Sequence, residues 1–231
     1  MVACARATVL FDSGGFEPPA YQAGKLRGQN NWIEQRARAH AGQVASSVVR
    51  SGVQAVELNS NITNNSYYPK LEYTPLAGEI VQVECDIART ISTTPSFGFL
   101  IDVYGTNGLR VARAGLGTSD GQIRAVRTLA TGTSPVNGTI FAPLQWAHFE
   151  MRLNFAAHTW DVLVDGVLAA GGMPMLNQSA LGIADADLQV ATFNASTDAG
   201  YFDNYVVRAI PAPGAIALAL LGGLIAARRR R

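Results

Sequence analysis

Glu84 and Asp86 stand two residues apart in the run Glu79 to Ile87. Successive side chains of an extended strand point to opposite faces, so these two carboxylates share a face. That placement suits a nucleophile and an acid/base around one sugar bond; the plainer reading is the solvated face of a strand. Val81, Val83, Cys85 and Ile87 fill the opposite face, so Cys85 reads as a small buried apolar group rather than a nucleophile. Of the three histidines, His148 and His158 can face each other across one hairpin, but no third ligand stands at metal spacing. Tyr67, Tyr68, Tyr104 and Trp32 are the candidates for stacking against a sugar ring, because C–H faces of sugars pack on aromatic rings. For the tryptophans, a core position is the more economical reading. There is no Gly-x-Ser-x-Gly, phosphate loop or zinc signature, which argues against the common hydrolase and nucleotide-binding classes.

These side chains need strands to hold them. Phe149, Met151, Leu153 and Phe155 alternate with His148, Glu150, Arg152 and Asn154, and Trp160 to Val164 resumes the period before the turn dipeptide Asp165-Gly166. Three successive antiparallel strands are expected there. Val44 to Arg50 and Val53 to Leu58 flank Ser51-Gly52 as a second hairpin, and Tyr21 to Trp32 reads as a loop. Asn107-Gly108 and Asp120-Gly121 separate further alternating runs, and Leu188 to Phe193 and Tyr201 to Arg208 supply the last strands. The triplets Asn61-Ile-Thr63 and Asn64-Asn-Ser66 have the form of glycosylation sites and also the composition of a turn. Ten to twelve strands without an amphipathic helix predict an all-β fold, two antiparallel sheets packed face to face as a jelly-roll sandwich.

Composition agrees. Charged residues make up 15% of the 231, and glycine contributes 23, a turn-rich balance. Four of the eighteen basic residues are Arg228 to Arg231; the rest of the chain carries fourteen against seventeen acidic residues, a net of −3. That balance excludes a general affinity for nucleic acid.

The two ends carry an address. Ala5-Arg6-Ala7 has the small-x-small form of a signal-peptidase site, so residues 1–7 read as the end of a leader. At the other end, Pro211-Ala212-Pro213-Gly214 precedes thirteen uncharged residues, Ala215 to Ala227, and then Arg228, Arg229, Arg230 and Arg231. As a helix the apolar stretch is roughly 20 Å long, short of the ~30 Å of a bilayer core. This segment resembles the PEP-CTERM sorting tail of exported bacterial proteins, with Ala212 where that family has Glu. The resemblance implies an exosortase-like membrane enzyme as partner, transient anchoring in the membrane, and cleavage at 209–231.

The body, residues 8–208, resembles the concanavalin A-like lectin/glucanase (LamG-type) sandwich. Phe16-Glu17, the Gly28-to-Trp32 loop, Trp146, the Trp160-to-Gly166 hairpin and Tyr201 to Val207 carry the likeness. The galactose-binding-like jelly roll is its competitor. Enzymes of the resembled fold carry Glu-x-Asp-x-x-Glu, and here the third position is Arg89, a cation that cannot protonate a leaving oxygen. In jelly rolls of both types, an acid of the first loop and one of the last strand often meet around a structural calcium ion; Glu17 and Asp203 occupy those places, with Asp12 or Asn204 as helpers. The expectation is therefore an exported, cell-surface or matrix protein with a non-catalytic body. A carbohydrate-binding module is the first alternative and a glucanase-type glycoside hydrolase the second.

Overall fold

The computed structural model describes residues 7–35, 42–59, 65–90, 98–128, 132–191 and 198–211. Sixteen strands form within them. In chain order they are β1 (Thr8–Asp12), β2 (Gly24–Lys25), β3 (Trp32–Glu34), β4 (Gln43–Ala45), β5 (Ala55–Asn59), β6 (Asn65–Pro69), β7 (Glu79–Arg89) and β8 (Gly98–Gly105). There follow β9 (Arg110–Leu116), β10 (Gln122–Thr128), β11 (Gly132–Ile140), β12 (Ala147–Asn154), β13 (Thr159–Val164), β14 (Val167–Pro174), β15 (Ile183–Ala191) and β16 (Ala199–Pro211). They make two antiparallel sheets. The nine-stranded sheet runs β14-β13-β12-β7-β16-β5-β4-β2, with β1 also on β16, and the seven-stranded sheet runs β11-β10-β9-β8-β15-β6-β3.

Alternation produces the sandwich directly. On β12 the even-numbered positions 148 to 154 are half-buried and their odd-numbered neighbours buried, so Phe149, Met151 and Leu153 face the other sheet. Asp165 and Gly166 both take positive φ, the conformation a two-residue hairpin turn needs, and they join β13 to β14. Between the sheets lies an aromatic cluster in which Trp32 touches Phe11, Phe16 and Tyr205, with ring centroids 5.3–5.7 Å apart. Each such ring contributes about 1.5–3 kcal/mol by burial. Tyr205 reaches across the core and donates to the Ala186 carbonyl at 2.8 Å. A bulge places it there: Asn204 takes positive φ, and the register on β7 slips between Asp203 and Val206.

Several expectations change in detail. The hairpin at Ser51-Gly52 forms with shorter strands, β4 and β5, and the Tyr21-to-Trp32 stretch contains β2. The last strand continues past Arg208, with Ala209 buried and Pro211 opposite Glu79, so residues 209–211 pair as part of the sheet. The expected apolar helix, and with it Ala212, Pro213, Gly214 and Arg228 to Arg231, lies outside the described residues, as do Asn61 to Asn64. Among the described residues no helix is long and apolar enough to cross a membrane.

Candidate functional site

The outer face of the seven-stranded sheet carries an organised set of charged groups. On β15 the residues Ala186, Leu188 and Val190 enter the core, which turns Asp185, Asp187 and Gln189 outward. The same alternation on β8 buries Phe99, Ile101 and Val103 inward and presents Asp102 and Tyr104 outward. Register then assembles the face: Asp187 lies opposite Asp102, Asp185 opposite Tyr104, and Asp102 opposite Arg113 of β9.

Asp102 is 0% exposed. It is neutralised by a fork of hydrogen bonds from Arg113 and by Arg110 Nε at 3.1 Å. Arg113 also donates to Gln189 Oε1, and Arg110 Nη2 donates to Tyr104 Oη at 3.1 Å. Burial favours the neutral form of Arg110, but the Asp102 carboxylate and Tyr104 beside it outweigh that effect and raise its pKa. The result is a largely buried ladder, Gln189–Arg113–Asp102–Arg110–Tyr104, in which two guanidinium groups share one carboxylate.

Asp185 and Asp187 have no such neutralisation. Asp187 is 2% exposed and its Oδ1 has no hydrogen-bond partner among the described residues. Burial, reinforced by the neighbouring Asp185 carboxyl, pushes Asp187 well above the ordinary carboxylate range, and burial raises Asp185 too. Two carboxyls in contact, one buried and one half-buried, cannot both ionise readily, so the pair holds a proton to higher pH than free carboxyls do. Both line a pocket of about 150 Å³ with Gln35, Tyr68, Tyr104 and Gly108. That is room for about one sugar ring rather than a drug-sized ligand, for which ~300–1,000 Å³ is usual. Burial, then nearby carboxylates, raise the pKa of both tyrosines, keeping them protonated donors.

The three tyrosines singled out above separate here. Tyr68 and Tyr104 line the pocket. Tyr67 does not: adjacent strand residues face opposite ways, and Tyr67 is 2% exposed in the core, donating to Glu34 Oε1 at 3.1 Å. Trp32 is likewise a core residue, its indole N–H on Tyr21 Oη at 2.9 Å.

The carboxylates read from β7 lie on the other sheet. Glu84 accepts from Arg208 at 2.6 Å, while Asp86 is bound by His148 Nδ1 at 2.9 Å and by Asn204 Nδ2 at 2.7 Å. Burial opposes ionisation of Asp86, but these hydrogen bonds and the Arg50 charge prevail and hold it below its usual range. His148 is raised in turn, chiefly by that hydrogen bond. It therefore does not pair with His158, which sits in the β12–β13 turn. Arg89 is a buried clamp, donating to the Thr118 and Phe141 carbonyls. Cys85 is fully buried, and burial pushes its thiol well up, in keeping with an inert core position.

Glu17 and Asp203 converge on one loop. Glu17 Oε1 accepts from the amides of Val53 and Gln54, and Asp203 Oδ2 from those of Arg50 and Ser51 at 3.1 Å each. Asp12 accepts from Gly14 and Asn204 Oδ1 from Ser51. Among the described residues no group of three or more His, Cys, Asp or Glu is gathered closely enough to hold a metal ion.

Sequence reasoning missed Asp102, Asp185, Asp187, Arg110, Arg113 and Gln189. The signal was present in Ala184-Asp-Ala-Asp-Leu-Gln-Val190, whose alternation begins before the strand expected from Leu188.

No protein-family model and no curated protein sequence matches the chain. Solved structures share its fold. A carbohydrate esterase, vb_24B_21, of Shiga toxin-encoding bacteriophage phi24B superposes with a TM-score of 0.63 at 13% identity, over 88% of this chain and 99% of that one. An endo-β-1,4-glucuronan lyase from the fungus Trichoderma reesei does so at 0.58 and 11% identity, over 87% and 95%. A sialidase matches 80% of this chain at 0.55 and 14% identity, but the chain spans only 17% of its length. At these identities the likeness is one of fold.

Two findings bear on function: the fold shared with these structures, and the buried charged clusters on this chain's outer face. The expectation of a non-catalytic body is corrected by the same two findings. Sandwiches of this shape make up nearly the whole of an esterase and a lyase and a small part of a sialidase, and here the sheet face bears a carboxyl pair raised in pKa beside an arginine ladder.

Proposed function

We propose that this chain is a carbohydrate-active protein that seats one sugar residue of a glycan between Tyr68 and Tyr104, over the Asp185–Asp187 pair. The observation that carries the reading is Asp187: a buried carboxyl, raised in pKa, with an unpartnered oxygen in a pocket walled by two tyrosines. Such a group is a general acid. Asp187 gives its proton to the glycosidic oxygen as the C–O bond breaks, and Asp185 keeps the negative charge that steadies the developing oxocarbenium ion. Water adds to the anomeric carbon, and the proton it sheds returns to the carboxyl pair. The tyrosine rings and Gln35 orient the sugar.

A glycan array and a reducing-sugar assay on a polysaccharide panel test the proposal. The wild type binds and releases reducing ends, with activity falling as alkaline pH strips the shared proton. Asp187→Asn binds and releases none. Binding without release in the wild type reduces the protein to a glycan-binding module, and silence in both assays removes the pocket reading.

Export and surface attachment complete the proposal, resting on Pro211-Ala-Pro213 and the apolar, arginine-tipped segment after it. Mass spectrometry of the mature protein in its native cell envelope tests this: loss of Arg228 to Arg231 supports processing by an exosortase-like enzyme, and an intact cytosolic chain refutes it.

A further inference from the structure

We propose that Arg110 is a positioning residue that makes Tyr104 an obligate hydrogen-bond donor to whatever occupies the pocket. The inference rests on the reading of that pocket as a sugar site. A guanidinium has only N–H donors, so the contact from Arg110 Nη2 to Tyr104 Oη, 3.1 Å long, must use an oxygen lone pair of the phenol. The hydroxyl proton then has to point elsewhere, and the side open to it is the pocket that Tyr104 lines with Asp185, Asp187, Gln35 and Tyr68.

Arg110 is itself held in place. Its Nε lies 3.1 Å from Asp102, which is fully buried and fixed from the other side by Arg113, and its guanidinium carbon sits 5.5 Å from the Tyr104 ring centroid. The ladder thus ends in a phenol whose hydrogen direction is set before any ligand arrives, the preorganisation that gives a polar contact its selectivity. With Asp187 also carrying a proton, two donors face the same space. They select a ligand that presents acceptor oxygens to this side, such as a ring or glycosidic oxygen or the lone pairs of a sugar hydroxyl.

The charged and titratable groups facing Tyr104 are Arg110 of β9, Asp102 of β8, Asp185 and Asp187 of β15 and, across the pocket, Tyr68 of β6. Arg110 is the cation among those named. Ultraviolet titration of the full chain without ligand, with Tyr104→Phe identifying which of the seven tyrosines is read, tests the contact directly. Arg110→Met shifts Tyr104 ionisation upward by about one pH unit or more, and Arg110→Lys, which keeps a donor and a charge, restores part of it. An unchanged midpoint in folded Arg110→Met overturns the proposal. In the reducing-sugar assay, Arg110→Met lowers kcat/KM at least as much as Tyr104→Phe, and the double variant is no worse than Arg110→Met alone. A normal titration shift with no glycan turnover in the wild type would fail the pocket reading alone, whereas wild-type turnover undiminished in Arg110→Met would fail the positioning role alone.

Discussion

Asp203 offers a measurable consequence of burying a carboxylate under a loop. It is fully buried, and burial outweighs three backbone donors, Arg50 and Ser51 at 3.1 Å and Asn204 at 2.7 Å, so its pKa rises from 3.8 to about 6, with Asp86 adding to the effect. The native state therefore keeps this proton to higher pH than the unfolded chain does. Rising pH must destabilise the fold across that window, and the contribution is flat below it, where both states are protonated. The gap from 3.8 to about 6 corresponds to at most ~3 kcal/mol. The loop covering the carboxylate is itself exposed at Ser51 to Val53, so water reduces this to about 1–2 kcal/mol. Denaturant unfolding of wild type and Asp203→Asn at a series of pH values from about 4 to about 7 measures it, because the difference between the two proteins cancels every other group to first order. The wild type should lose its advantage over the variant as pH rises. Parallel curves would mean the carboxyl is not desolvated, and a wild type that gains on the variant would mean that the amide donors prevail. The same proteins with millimolar calcium address Glu17 and Asp203 as ligands: a calcium-dependent rise in Tm that Asp203→Asn abolishes supports them, and no shift removes them.

Tyr67→Phe should cost about 1 kcal/mol in unfolding experiments, through the lost hydrogen bond to Glu34, and leave glycan-array binding unchanged. Tyr68→Ala should do the reverse, abolishing binding with a stability change under about 0.5 kcal/mol. His148→Asn should lower stability by less than about 1 kcal/mol, since the imidazole is 38% exposed. Because native His148 is raised in pKa, that loss should be full below its ordinary 6.5 and vanish as pH climbs through the native value, which denaturation at several pH values reads out. Gly115→Ala should destabilise by about 1–3 kcal/mol in the same assay, because its Cβ would lie 2.2 Å from the Phe99 carbonyl oxygen on the neighbouring strand.

The layers were legible because period-two patterning maps one-to-one onto a strand with one buried face. Phe149 to Leu153 and Val81 to Ile87 pointed inward as their spacing requires. The site was not legible, for the same reason of geometry. Asp102 and Arg113 face each other across the β8–β9 hairpin, but Asp187 comes from a distant part of the chain and joins them only through the register of β15 on β8, which no local pattern encodes. Glu84 and Asp86 drew attention as a pair within one strand, yet each has a cation or histidine partner from another strand that absorbs its charge. Alternation does separate Tyr67 from Tyr68; treating a dipeptide as one surface feature overlooks it.

The pairing of β1 with β16 has a mechanical side. They are antiparallel, with Thr8 against Ala209 and Asp12 against Val206, so residues 8 and 209 lie side by side at one end of the pair. A force drawing those two points apart would load the hydrogen bonds between them one after another, as in a zipper, rather than all together in shear. The body should yield first along this seam and at low tension. Phe11 would then be stripped from Trp32 and Tyr205 while the arginine ladder on the far sheet stayed whole.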